Sequence, residues 1–136
     1  MAPVNVASTA VIVEDEAVVA MDLERSLKRL GVTVLGVATT ARDAVRMIRE
    51  LDPDLMLLDV RLRDDRDGIW VAEQTRPGSD SALIFLTAHG DEVTMQRAAK
   101  MYPDGYLVKP VKREALETTI ESALHSRDAR RKRGTT

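Results

Sequence analysis

The sequence predicts an α/β fold: a doubly wound, five-stranded parallel sheet with five helices on its two faces. Three observations carry that expectation. Short apolar runs recur five times along the chain, each bounded by polar or turn residues. Between them lie stretches whose apolar residues repeat at helical spacing. The runs are also apolar at successive positions rather than alternate ones, as strands buried on both faces require. Strand alternating with helix in this way implies a parallel sheet, and right-handed crossovers narrow its topology.

The elements follow in order. Residues 1–8 read as a flexible start, and residues 9–126 as one domain. Ala10 to Val13 is a short run rich in β-branched residues, hence a buried strand ending in Glu14-Asp15-Glu16. Val19, Leu23, Leu27 and Leu30 recur at helical spacing, and Gly31 is a helix stop. Val32 to Ala38 is β-rich again. Thr39 or Thr40 can cap a helix whose apolar face is Ala44, Val45, Ile48 and Leu51. Leu55-Met56-Leu57-Leu58-Asp59 is four apolar residues ending in one carboxylate. A buried helix is the rival reading there, but Asp52-Pro53-Asp54 before the run and the charged stretch Arg61 to Asp67 after it leave too little length. Gly68 then precedes a helical segment, Ile69 to Thr75. Arg76-Pro77-Gly78-Ser79 is a turn, and Ala82 to Leu86 is a fourth buried run ending at Thr87. Asp91 to Lys100 reads as helix and Pro103-Asp104-Gly105 as a turn. Tyr106-Leu107-Val108 is a fifth strand, ending at Lys109-Pro110. Leu116, Ile120 and Leu124 mark a last helix.

Composition excludes several classes. There is no cysteine, so neither a disulfide framework nor thiolate chemistry is available. Two histidines, His89 and His125, do not make a histidine-rich metal site. No apolar run approaches the roughly 20 residues of a membrane span, and the N-terminus lacks the features of a secretion signal. A cytoplasmic protein with no membrane partner is the expectation. The net charge is −2, but residues 127–136 carry +4 and the remainder −6. An acidic body argues against direct nucleic-acid binding, and the basic end reads as a flexible tail.

Polar groups gather at the carboxyl ends of the strands: Glu14 and Asp15, Asp59, Thr87 and Lys109. A doubly wound sheet puts these along one edge, where ligands bind. Three carboxylates brought together repel, and their charge suits a hard cation such as Mg²⁺. Lys109 adds a point charge, and Thr87 a hydroxyl, for a phosphoryl group. Together these parts make a phosphoryl-transfer site with Asp59 as nucleophile. Each has a plainer explanation alone. Glu14-Asp15 could cap a helix, Thr87 could be a loop residue, and Lys109-Pro110 could be a turn. Asp59 is harder to explain away, because a carboxylate ending an apolar strand has little structural use.

The chain resembles the receiver domains of two-component response regulators over roughly Thr9 to His125. The resemblance rests on Val11-Ile12-Val13-Glu14-Asp15-Glu16, Leu57-Leu58-Asp59-Val60, Asp67-Gly68, Phe85-Leu86-Thr87-Ala88 and Gly105-Tyr106-Leu107-Val108-Lys109-Pro110. It implies a flavodoxin-like fold with strand order 2-1-3-4-5. It implies that Asp59 accepts a phosphoryl group from a sensor histidine kinase or phosphotransfer protein. Asp15, Asp59 and the backbone carbonyl of Arg61 would hold Mg²⁺, with Glu14 acting mostly through water. Lys109, Thr87 and the backbone amides of Arg61 and Ala88 would contact phosphoryl oxygens. Tyr106 looks like the switch aromatic, turning inward as Thr87 moves; from its position alone, a core tyrosine without that role is an equal reading, and the resemblance favours the switch. The switched surface would be the fourth helix, fifth strand and fifth helix, read by a downstream partner or fused output domain. The same surface could pair two copies.

Some features depart from the family pattern. The loop Arg61 to Gly68 is one residue longer than in many receivers, and Arg63 stands where many have proline. Its Arg/Asp alternation reads first as a solvated loop, and a partner surface is the other reading. Arg61 and His89 could tune how water reaches the acyl phosphate, though a solvent-facing histidine is the plainer account of His89. An aspartyl-nucleophile phosphatase or phosphotransferase on a similar sheet is the enzyme alternative. Such enzymes often place a second Asp two residues after the nucleophile, and here that residue is Arg61. A flavin or nucleotide module would need a phosphate-binding loop after the first strand, and Glu14-Asp15-Glu16 would repel phosphate without a metal. The chain is therefore expected to be a phosphoacceptor signalling domain rather than an enzyme. Only residues 127–136 follow the last expected helix, too few for a DNA-binding unit, so a stand-alone receiver or a piece of a longer regulator or hybrid kinase is expected.

Overall fold

The computed structural model describes residues 8–88 and 92–134. Strands β1 (Thr9–Val13), β2 (Thr33–Ala38), β3 (Leu55–Asp59), β4 (Ala82–Ala88) and β5 (Gly105–Lys109) alternate with five helices. The helices are α1 (Ala17–Arg29), α2 (Ala41–Leu51), α3 (Gly68–Thr75), α4 (Glu92–Ala99) and α5 (Arg113–Gly134). Every strand pairing is parallel, and the order is β2-β1-β3-β4-β5. This is the doubly wound, flavodoxin-like sheet expected.

Strand alternation sorts the core into two layers. Ala10 and Ile12, Leu55 and Leu57, Ile84 and Leu86, and Leu107 pack with Leu23 and Leu27 of α1 and Leu116, Ile120 and Leu124 of α5. The alternate residues Val11 and Val13, Met56 and Leu58, and Leu83 and Phe85 pack with α2, α3 and Ala98 of α4. All five residues of β3 are buried, as befits the middle strand of a sheet covered on both sides. Each fully buried Leu or Ile contributes about 1.5–3 kcal/mol of transfer free energy, which fixes the strand's register.

Local chemistry sets the helix limits. Gly31 ends α1 in the left-handed region at φ 85°, a conformation that favours glycine. Thr40 caps α2, its hydroxyl accepting from the Asp43 amide at 3.2 Å. Asp52 stops that helix at φ 45° just before Pro53. Leu51 was expected on the apolar face but is 42% exposed. It lies in the final turn, beyond the buried face of Ala41, Ala44, Val45 and Ile48. Asp67 caps α3 by accepting from the Trp70 amide at 2.9 Å.

The two ends correct the expected boundaries. Ser8, assigned to a flexible start, is buried, and its carbonyl accepts from the Thr33 amide at 3.0 Å. Residues 1–7 lie outside the described residues. The expected flexible tail from residue 127 is instead the end of α5, which runs to Gly134. Arg127 is 5% exposed and donates to Asp54 Oδ1 at 2.7 Å and to the Asp54 carbonyl at 3.2 Å. Arg130 pairs with Asp104 and Arg131 with Asp80. These arginines sit at i, i+3 and i+4, one face of a helix, and their acids lie near the amino ends of β3, β4 and β5. Charge rather than an apolar stripe docks this end. No helix among the described residues is long and apolar enough to cross a membrane.

Candidate functional site

The carboxyl edge of the sheet builds the site through strand parity. Glu14, Asp59 and Lys109 each continue the alternation of Ala10–Ile12, Leu55–Leu57 and Leu107, the side facing α1 and α5. Lys109 Nζ donates to Asp59 Oδ2 at 2.5 Å and to Glu14 Oε1 at 2.6 Å. Glu16 Oε1 lies 3.9 Å from the same ammonium. Glu14, Asp15 and Asp59 each offer a carboxylate oxygen within 4.8 Å of the others. The sequence-predicted acids and the lysine therefore converge on one spot.

Its electrostatics show a shortage of positive charge. Glu14 is fully buried. Burial, with the hydrogen bond and charge of Asp59, pushes its carboxyl up to about 8 against the opposing pull of Lys109. Burial works against the Lys109 ammonium, but its bonds to Asp59 and Glu14 outweigh that and hold its pKa above the usual value. One ammonium thus serves three clustered carboxylates. Glu14 Oε2 is buried without a hydrogen-bond partner, a costly state for a polar atom. A divalent cation held by Glu14, Asp15 and Asp59 would supply both the missing charge and the missing partner. The donor set, all oxygen, fits Mg²⁺.

The loop after β3 closes over the site. The Arg61 amide donates to Asp59 Oδ1 at 3.0 Å. The Arg63 amide donates to Asp15 Oδ2 at 2.6 Å. A Cβ on Gly68 would lie 1.9 Å from the Asp59 carbonyl oxygen, so only glycine allows α3 to start against the acceptor strand. The Arg/Asp alternation here is not merely solvated. Asp64 Oδ2 accepts from the Ala41 amide at the start of α2 at 2.8 Å, and Asp65 lies 3.4 Å from Arg42. Asp67 Oδ2 accepts from Arg97 of α4 at 3.1 Å, and Arg61 Nη2 donates to Thr94 Oγ1 of α4 at 3.2 Å. Sequence reasoning missed these ties. Three ties of this loop use backbone amides, which carry no residue signal, and the side-chain ties join segments far apart in the chain.

Thr87 and Ala88 close β4 beside the cluster. Asp59 pairs in register with Leu86, and Ala88 with Lys109. The buried Thr87 hydroxyl donates to the Ala88 carbonyl at 3.3 Å. Tyr106 pairs with Phe85, and their ring centroids are 6.4 Å apart. It is half-buried on the same side of the sheet as Phe85, one step below Thr87, and burial raises its phenol pKa. His89 lies outside the described residues.

Comparison with known proteins places these observations. A family model described as the response regulator receiver domain matches residues 10–121. Transcriptional regulatory protein AfsQ1 of Streptomyces coelicolor is 34% identical over 113 residues, spanning 83% of this chain and 49% of that protein. Transcriptional regulatory protein PdtaR of Mycobacterium tuberculosis is 34% identical over 113 residues, spanning 83% of this chain and 55% of that protein. The chain thus spans about half the length of these relatives. Among solved structures, the signal receiver domain of a modulated diguanylate cyclase from Desulfovibrio desulfuricans G20 is 37% identical with a TM-score of 0.84, covering 90% of this chain and 98% of that one.

Proposed function

The chain belongs to the response regulator receiver family of two-component signalling, and we propose that it is phosphorylated on Asp59 by a sensor histidine kinase or phosphotransfer protein. One observation carries this reading: a lysine ammonium bridging Asp59 and a fully buried Glu14, with Asp15 close by. An Asp59 carboxylate oxygen attacks phosphorus, the phosphorus–nitrogen bond of a phosphohistidine breaks, and the imidazole leaves with the electron pair. Bound Mg²⁺, held by Glu14, Asp15, Asp59 and the Arg61 carbonyl, would neutralise phosphoryl charge. Lys109 leaves its bridge to follow the new charge, and the Thr87 hydroxyl and the Arg61 and Ala88 amides donate to phosphoryl oxygens. Thr87 sits one step above Tyr106 on the sheet, so its movement opens room for that ring to repack.

The donor has a landing place beside the site. Val18 and Met21 of α1, 79% and 58% exposed, line a groove with Lys109, Pro110 and Val111. An exposed apolar groove at the acceptor suits a partner's helix. The output surface is α4, β5 and α5, where Val93 and Val108 are exposed; a downstream protein, a fused output domain or a second copy would read it there. The chain acts as a signalling acceptor, in the cytoplasm, rather than as an enzyme on other substrates. Intact mass after incubation with acetyl phosphate and Mg²⁺ tests this. Wild type should gain one phosphoryl group and Asp59→Asn none; equal labelling of both would misplace the acceptor, and no labelling of wild type would refute the reading.

A further inference from the structure

We propose that the Arg63 backbone amide is a clasp across the site: it holds Asp15 in competition with the cation, so metal entry frees the loop after β3 at that residue. The proposal rests on the cation site of the proposed function and adds a rival supplied by this chain's own backbone. The Arg63 amide donates to Asp15 Oδ2 at 2.6 Å. That is short for an N–H···O bond, as bonds to an ionised carboxylate are. Asp15 is also one of the three acids whose carboxylate oxygens lie within 4.8 Å of one another.

The bond joins two loops beside the buried Asp59. Asp15 lies between β1 and α1, and Arg63 lies between β3 and α3. The contact needs a main-chain N–H at position 63. A proline there has none and could not make it. The clasp is therefore a consequence of the departure at Arg63, and it works through the backbone while the side chain is exposed.

Charge sets the competition. The amide turns the positive end of a dipole toward the carboxylate. A divalent cation brings two full charges to the same group, where oxygen ligands lie about 2.0–2.1 Å from Mg²⁺. Like charges drawn to one carboxylate oppose each other, so the N–H bond weakens as the cation binds. Glu14 and Asp59 both accept from Lys109, and Asp59 also accepts from the Arg61 amide. At Asp15 the Arg63 amide fills the corresponding place. Neighbouring ties confine what is released. The Arg61 amide holds the loop at Asp59, and Asp64 holds it at the Ala41 amide. Residue 63 lies between these two anchors.

Mg²⁺ alone is the probe, followed by calorimetry and by the Arg63 amide signal in isotope-labelled protein. Without metal that amide proton should lie downfield and exchange slowly; saturating Mg²⁺ should move it upfield and speed its exchange. Arg63→Pro deletes the N–H, and Arg63→Ala keeps it; both lose the guanidinium. Mg²⁺ should bind Arg63→Pro about fivefold tighter than Arg63→Ala. Residue 63 is not among those with positive φ, which suits proline, and urea unfolding checks that both variants fold. Equal or weaker binding by Arg63→Pro overturns the clasp. If that variant does not fold, the wild-type signal decides: an Arg63 amide left unmoved by bound Mg²⁺ overturns the clasp alone. Wild type that binds no Mg²⁺ overturns the cation site and the clasp together.

Discussion

Replacing Arg127 with alanine should destabilise the protein by about 2 kcal/mol at neutral pH. The guanidinium is buried near the amino end of β3, donating twice to Asp54 and twice to Asp128. Breaking a buried pair by removing one partner costs about 3–5 kcal/mol. Two features reduce that figure here. The Asp54 side chain is 25% exposed, so water reaches the orphaned carboxylate. Asp54 also keeps the Thr9 amide at 2.9 Å and the Thr9 hydroxyl at 3.1 Å. The pH dependence follows from the same contacts. Burial works against ionised Asp54, but the Thr9 and Arg127 bonds outweigh it and hold its pKa below the usual 3.8. Its stabilising effect is therefore present above that value and lost as the pH falls through the lower folded-state pKa. Urea unfolding of wild type and Arg127→Ala should show the full gap at pH 7, narrowing below about pH 4. A gap under about 0.5 kcal/mol at pH 7, the size of an ordinary surface substitution, would refute the docking of this helix end by charge. So would a gap that stays constant in acid.

Gly68→Ala should cost about 2–3 kcal/mol, measurable as a urea midpoint shift, and should lower acetyl phosphate labelling, because the added Cβ meets the Asp59 carbonyl at 1.9 Å. Mg²⁺ affinity, read by calorimetry, should rise with pH up to about 8 and level off above, since Glu14 must lose its proton to bind a cation; Glu14→Gln should flatten that profile. The same raised carboxyl makes the metal-free protein lose stability as the pH climbs from 4.5 through about 8, the reverse of the Asp54 effect. Lys109→Met should bind Mg²⁺ roughly threefold tighter or more, because the competing ammonium is gone, while acetyl phosphate labelling falls; weaker Mg²⁺ binding would contradict the charge balance described.

Period and parity made much of this legible. The flanks of Leu55–Asp59 favour a central strand over a buried helix, and the parity of that strand puts Asp59 on the side shared by Glu14 and Lys109. The converging acids and lysine are thus a direct reading of period-2 geometry. The end of α5 was hidden because the reading followed apolar residues, which stop at Leu124. Arg127 continues the same face at i+3 with a charged head, and its partner Asp54 lies 73 residues away. The Arg61–Asp67 loop was hidden for a related reason. Asp64 caps α2 across 23 residues of chain, where a capping acid is normally sought beside its helix.

Those missed contacts share a logic that bears on the switch. In the resting protein each tie near Asp59 joins the site to a different element: Lys109 to β5, Arg63 to the Asp15 loop, Asp64 to α2, and Arg61 and Asp67 to α4. Under the proposed function, a cation and a phosphoryl group would supply charges that Lys109 and Asp15 now meet with substitutes. Asp15 gives its oxygen to the Arg63 amide, a weaker partner than a divalent cation. Occupying the site therefore competes with the ties that hold its surroundings. Asp64 and Asp67 lie outside the Glu14, Asp15 and Asp59 cluster, so the α2 cap and the Arg97 pair need not break for a cation to enter it.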